Sequence, residues 1–207
     1  MDLFFTYYNS SILTVNSEDG NVGGHFMVVT KEYMRENAVK YAKRWALDRN
    51  PLFENYSGIG GDCTSFVSQS IYAGSCVMNY TPTFGWYYVS PTDRAPAWTG
   101  VEYLYNFLTQ NQGVGPFGSE TYPGGLELGD VIQLGNDRGA WYHSLVVTGF
   151  ENGTYLVSAH SDDSLDRPLS TYDYYTARFI HIGGVRLQIP DRYSRDCFES
   201  FVNGESF

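Results

Sequence analysis

One stretch limits the fold more than any other. Ser57-Gly58-Ile59-Gly60-Gly61 runs directly into Asp62-Cys63-Thr64-Ser65-Phe66-Val67-Ser68-Gln69-Ser70-Ile71-Tyr72-Ala73-Gly74. Cys63, Phe66, Val67, Ser70 and Ile71 recur at helical spacing and share one face. Asp62 is a good N-cap and Gly74 a good terminator. The spacing therefore predicts a helix whose first turn carries a thiol and whose apolar face must lie on another layer. The glycines ahead of it allow close backbone approach by a ligand.

The rest of the chain supplies that layer. Runs at 130–134, 144–150, 155–159, 178–182 and 185–189 read as strands, the second apolar on both faces and hence central. Upstream, Met34, Ala38, Tyr41, Ala42 and Trp45 mark a helix over about 31–49, capped by Thr30 and ended by Asn50-Pro51. A third helix begins at Thr99, where Thr99 and Glu102 have capping-box spacing and Trp98 can staple to Tyr103. Residues 79–96, broken by Pro82, Gly85, Pro91 and Pro96, read as irregular. Helices first and an antiparallel meander second is an α+β order. The first 29 residues hold strand-like runs at 3–8, 12–15 and 26–29, two of them flanking the Asp19-Gly20 turn signal. The expectation is an N-terminal hairpin extension over 1–29 and one main domain over 30–207, a length that suits a single core.

Composition narrows the partners. A net charge of −10 and a pI near 4.7 repel phosphate backbones and anionic lipid, so neither nucleic acid nor a membrane surface is expected. No apolar run is long enough to span a bilayer. The start, Met1-Asp2-Leu3-Phe4-Phe5, lacks the basic region of a signal peptide, which fits either a cytosolic protein or a piece of a longer, secreted chain. Three cysteines allow at most one bridge and leave one thiol free. His25, His143, His160 and His181 lack metal-hydrolase spacing, and Asp162, Asp163 and Asp166 lack calcium-loop spacing, so no metal or cofactor is expected. With 18 tyrosines the chain either fills half-buried sheet positions or walls a cleft. Trp86 and Tyr87 are the candidates for a substrate-binding wall, with core packing an equal alternative.

Cys63 and His143 carry the chemistry. Unpaired N–H groups at a helix N-terminus lower a thiol's pKa and can hold an oxyanion. The plainer reading of Cys63 is a small buried hydrophobe. His143 opens the central strand, where it can reach a helix end and serve as base, or else be a structural imidazole. For a third group, a two-residue turn at Asn152-Gly153 would put Glu151 opposite Thr154 and His143 opposite Asp162. His160 would then lie diagonal to His143 on the same face. Either could orient the imidazole, with His160 ranked ahead of Asp162. Gln69 points away from the thiol and is assigned to packing.

Gly60-Gly61-Asp62-Cys63-Thr64-Ser65-Phe66-Val67-Ser68-Gln69 resembles the signature of the bacterial putative amidase domain family. So do Ala38-Val39-Lys40-Tyr41-Ala42 with Asn50-Pro51, Trp86-Tyr87-Tyr88, Gly129-Asp130-Val131-Ile132, His143-Ser144, and Ala159-His160-Ser161-Asp162-Asp163 with Arg167-Pro168-Leu169. Ser65 departs from a frequent Asn. That family is similar to the CHAP and NlpC-type papain-like cysteine peptidases and amidases, in which a Cys-bearing helix packs on an antiparallel sheet bearing His and a third polar residue. The resemblance implies a papain-like α+β core, with Cys63 as nucleophile, His143 as base and His160 as the third group. It further implies hydrolysis of amides in a peptide or peptidoglycan substrate through an acyl-enzyme. Two other classes fit the same residues: a non-catalytic peptide- or glycan-binding module, and an acyl or peptidyl transferase.

Overall fold

A long strand near the C-terminus organises the molecule. In the computed structural model, which describes residues 10–11, 27–189 and 197–206, this strand is β10 (Thr176–Ile189). One edge of β10 pairs with β5 (Gly115–Thr121); the other takes β6 (Val131–Gly135) along its first half and β2 (Met27–Lys31) along its second. The sheet continues from β6 to β7 (Trp141–Glu151), β8 (Thr154–Ala159) and β9 (Ser164–Pro168), and from β2 to β1 (Ser10–Ser11), all antiparallel. β3 (Tyr88–Ser90) and β4 (Asp93–Arg94) form a separate small hairpin. The helices are α1 (Arg35–Trp45), α2 (Cys63–Ser75), α3 (Pro96–Thr99), α4 (Val101–Gln110) and α5 (Cys197–Val202). The α+β class read from the sequence is the class found, but the order is not strictly helices and then sheet: β1 and β2 precede α1, and α5 follows β10.

Alternation along the strands splits the sheet into two faces. Val131, Val146, Ile180 and Ile182 turn toward the helices and join Phe66, Val67 and Ile71 of α2 in the main core. Ile132, Leu134, Leu145, Val147 and Val157 turn the other way and pack against Leu126 and Leu169. α2 is buried along its whole length, which is why its sequence carries no charged residue.

Several boundaries differ from expectation for identifiable reasons. Thr30 caps nothing: it and Lys31 extend β2, and α1 starts at Arg35 after Met34. Gly74 lies inside α2, where a Cβ would run into the Tyr33 ring and crowd the Met34 carbonyl; the left-handed cap is Cys76. Thr99 closes α3, Gly100 separates it from α4, and Glu102 pairs with Arg178 instead of capping. The runs 178–182 and 185–189 are one strand with a bulge between Ile182 and Gly184. β5 and β9 went unanticipated. Of the N-terminal runs, 26–29 overlaps β2, which is a member of the main sheet; 3–8, 12–15 and the turn at 18–21 lie outside the described residues.

Trp86 is corrected from cleft wall to core. It is fully buried against Trp98 and Phe107, with its Nε1 donating to Ser68 Oγ at 3.0 Å. Tyr87 is half-buried beside Tyr80. Cys76 and Cys197 are bridged, with Cα atoms 6.1 Å apart, so α5 is tied to the end of α2. Phe201 of α5 stacks on Tyr41 at 4.7 Å and meets Phe53 and Tyr72 edge-on.

Candidate active site

The site begins where the glycine run delivers the chain to α2. Gly60 and Gly61 have φ of +106° and +103°, a backbone region that side chains rarely adopt, and Gly61 lies against the Ser161 hydroxyl. Ser161 Oγ in turn accepts from the Asp62 amide at 2.7 Å. Two glycines thus let the lead-in fold tightly under the turn after β8 and place Cys63 at the first residue of the helix.

Cys63 is the chain's free cysteine and is 6% exposed. Burial and the neighbouring Asp62 carboxylate push its thiol upward from the ordinary cysteine value. The backbone N–H of Ser144, the Thr64 hydroxyl and the Thr64 N–H act in the opposite direction, because each donates to sulfur and favours the thiolate. The expected lowering of this pKa by the helix N-terminus is not what the resting protein shows: desolvation outweighs the donors. Contact with the Ser144 amide sets the sulfur at the opening end of β7, one peptide from His143.

His143 is 8% exposed and pairs in register with Leu134. Its ring sits between Tyr142 and Tyr172, with centroids 6.3 and 6.1 Å away. Desolvation pushes its pKa down to about 4; Asp162 opposes that shift and Arg167 adds to it. The ring is thus neutral near pH 7, the form a base needs. The His143 ring makes no hydrogen bond to Cys63 or to any other described residue. By alternation Ser144 faces α2 and His143 the other side of the sheet, so the thiol, held at the Ser144 amide, and the imidazole belong to neighbouring residues of β7.

His160 is corrected as the group that orients His143. The turn behaves as expected, with Glu151 opposite Thr154, but a bulge at Thr148 shifts the register, so that Val146 faces Ser158. His160 consequently shares the helix side with Ser158 and stacks on Phe66 at 4.1 Å. Both its nitrogens are committed, Nδ1 to Asp62 Oδ2 at 2.7 Å and Nε2 to the Trp45 carbonyl at 2.8 Å. Asp62, which caps nothing through its side chain, also holds Arg49 Nε at 3.2 Å and the Tyr56 amide at 3.3 Å. Asp162 is exposed and paired with Arg167 at 3.0 Å, and it is the carboxylate whose field reaches His143.

Sequence reasoning missed the buried polar residues around the thiol: Thr64, Ser144, Gln133 and Arg178. Gln133, polar within the apolar run Val131-Ile132-Gln133-Leu134, was the visible signal. Tyr142 and Tyr172, not Trp86, are the aromatic rings beside His143.

This arrangement is an α+β scaffold presenting a lone thiol at a helix start beside a histidine-bearing strand. Residues 32–183 match the family described as "Putative amidase domain", and the chain belongs to it. Its relatives include uncharacterized protein YhbB of Bacillus subtilis (strain 168), 31% identical over an alignment of 150 residues that covers 69% of this chain and 46% of YhbB. Uncharacterized protein YjcM of the same organism is 31% identical over an alignment of 173 residues that covers 79% of this chain and 37% of YjcM. The chain spans less than half the length of these curated relatives. No solved structure matches it.

Proposed function

We propose that this chain is a cysteine-dependent, papain-like hydrolase of amide bonds, acting on a peptide or peptidoglycan substrate through an acyl-enzyme on Cys63. The observation that carries the reading is the placement of the free thiol at the first residue of α2, with its sulfur on the Ser144 amide next to His143. A raised thiol and a lowered imidazole make both groups neutral at rest, so attack is coupled to proton transfer rather than preceded by it. As Cys63 sulfur bonds to the amide carbon, its proton passes to His143 across the mouth of β7, through a turn of the ring or one water. Catalytic hydrogen bonds are often unformed before substrate binds. The oxyanion is held by N–H groups of the first turn of α2. Collapse breaks the C–N bond as His143 returns the proton to the leaving amine. Water then attacks the thioester with His143 as base, releasing the acid and the thiol. Asp162 supports the imidazolium electrostatically.

Family membership supports the reaction class, and the resemblance to CHAP and NlpC-type proteins supports the cell-wall substrate. The Cys76–Cys197 bridge accords with an oxidising compartment, where such substrates lie. The test is mass-spectrometric analysis of muropeptides and model peptide amides incubated with wild-type protein and with Cys63→Ala. Cleavage by the wild type alone and a trapped acyl adduct on Cys63 are expected; equal cleavage by both proteins would sink the proposal.

One observation favours a second reading, a peptide- or glycan-binding module: burial keeps the Cys63 thiol protonated, away from the reactive thiolate, and makes His143 a weak base. Iodoacetamide separates the two. Rapid single-site labelling of Cys63 that substrate blocks belongs to the enzyme, and labelling no faster than a free thiol's belongs to the module.

A further inference from the structure

A chain of buried side chains leads away from Cys63 through the sheet, and its direction can be worked out. Arg178 Nε meets Gln133 Oε1 at 2.8 Å. Gln133 Nε2 meets the Val101 carbonyl at 2.9 Å and Ser144 Oγ at 3.1 Å. Ser144 Oγ meets Thr64 Oγ1 at 3.0 Å, and Thr64 Oγ1 lies 3.8 Å from Cys63 Sγ, within reach for sulfur. Gln133 and Ser144 are fully buried, and Thr64 and Arg178 are nearly so.

Arginine only donates, and a backbone carbonyl only accepts. Gln133 is therefore fixed with its oxygen toward Arg178 and its amide hydrogens toward Val101 and Ser144. Ser144 Oγ accepts from Gln133, and among the described residues Thr64 is the remaining partner for its own proton. If Thr64 donated to Ser144 instead, the Ser144 proton would be buried without an acceptor, at a cost of about 1–3 kcal/mol. Ser144 therefore donates to Thr64, and Thr64 is left to donate to the sulfur.

We propose that Arg178, Gln133, Ser144 and Thr64 form a one-way hydrogen-bond relay that holds the Thr64 hydroxyl as a permanent donor to Cys63. They are positioning residues: they stabilise the thiolate as the proton leaves, and none touches substrate. Arg178 anchors the far end, paired with Glu102 of α4 at 2.9 Å and lying 3.6 Å over Tyr105 and 4.3 Å from Trp141. The charged group acting on the thiol is Asp62 at the helix start, with Arg49 from the α1–α2 connection and His160 beyond β8 bound to it; His143 is the neighbour of Ser144 on β7. The relay therefore brings a dipole, anchored by a charge, into a pocket where the nearest fixed charge is a carboxylate.

This inference rests on Cys63 being the nucleophile, but it is read through the thiol and not through turnover. The experiment is the pH dependence of Cys63 alkylation by iodoacetamide in the full, non-reduced chain, where the other two cysteines are bridged. Thr64→Val is expected to raise the alkylation midpoint by about one pH unit, which slows labelling roughly tenfold below it. Ser144→Ala and Arg178→Lys should raise it by smaller steps, and Thr64→Ser should restore the wild-type value. If Thr64→Val does not fold, Ser144→Ala against Thr64→Ser carries the same comparison. Folded Ser144→Ala and Thr64→Val proteins with an unmoved midpoint overturn the relay. If the midpoints shift but Cys63→Ala cleaves substrate as well as wild type, the relay stands and the nucleophile assignment falls.

Discussion

Two histidines, one on β7 and one in the turn just past β8, on opposite sides of one hairpin, live in contrasting surroundings. His160 is 1% exposed, stacked on Phe66, and has spent both ring nitrogens on Asp62 and a backbone carbonyl. The ring of His143, buried almost as deeply, makes no hydrogen bond to a described residue and is loosely flanked by two tyrosines. The first region is a knot: with Arg49 and the Tyr56 amide it fixes the turn just before α2. The second is a pocket of unspent hydrogen-bonding capacity. Burial alone does not separate a structural imidazole from a chemical one; the state of its nitrogens does.

The comparison breaks most sharply on activity. Cys63→Ala and His143→Ala should each reduce amide cleavage by at least about a thousandfold while shifting thermal unfolding little, measured as kcat/KM and Tm on the same preparations. His160→Leu and Asp62→Ala should do the reverse in kind. Removing one partner strands the other buried group, so unfolding free energy should drop by about 3–5 kcal/mol, read from urea midpoints. If His160→Leu proved stable but inactive, with the alkylation profile of Cys63 unchanged, the knot would have a role in the reaction itself. If His143→Ala kept its activity, the pocket would be empty space.

The difference between the two regions was only half legible in the sequence. The Cys63 helix was readable because its apolar spacing, glycine approach and lack of internal charge all agree. The hairpin turn was readable because Asn152-Gly153 leaves few other conformations, and both residues do have positive φ. The bulge at Thr148 was not. A single extra residue in a strand leaves composition and turn signal unchanged, yet it moves every later side chain to the other face. That one residue sends His160 to the helices and away from His143. β5, Gly115–Thr121, was invisible for a different reason: Gly, Pro, Ser and Glu carry little strand preference, and pairing with β10 alone makes it a strand. Asp62 looked like a helix cap because it stands at the right place, but three other partners, His160, Arg49 and the Tyr56 amide, claim its carboxylate.

Titration sharpens the contrast further. The folded protein holds His143 near pKa 4, against 6.5 for the free side chain, so the unfolded chain takes up a proton that the folded one refuses. The stability from keeping this ring neutral is complete above about pH 6.5 and is lost as pH falls toward 4, by on the order of 3 kcal/mol. Urea unfolding across that window should lose this slope in His143→Gln. The activity of the wild type should keep its plateau down to about pH 4–5, because the base stays unprotonated there. A midpoint near 6.5 for the acid limb would mean that His143 is solvated when substrate binds.

The smallest effect is expected at Phe66, and it asks whether the two regions are energetically separate. Phe66 lies one helical turn beyond Cys63, on the same face of α2, and covers the His160 ring. Phe66→Leu keeps an apolar side chain but loses the stacked contact, which should cost about 1 kcal/mol and lower Tm by a few degrees. The sulfur takes its donors from Ser144 and Thr64, and neither touches Phe66 through a hydrogen bond. The alkylation midpoint of Cys63 should therefore stay where it is. A shift of the midpoint along with Tm would mean that the knot sets the register of the first turn of α2, and that the two histidine regions are one device.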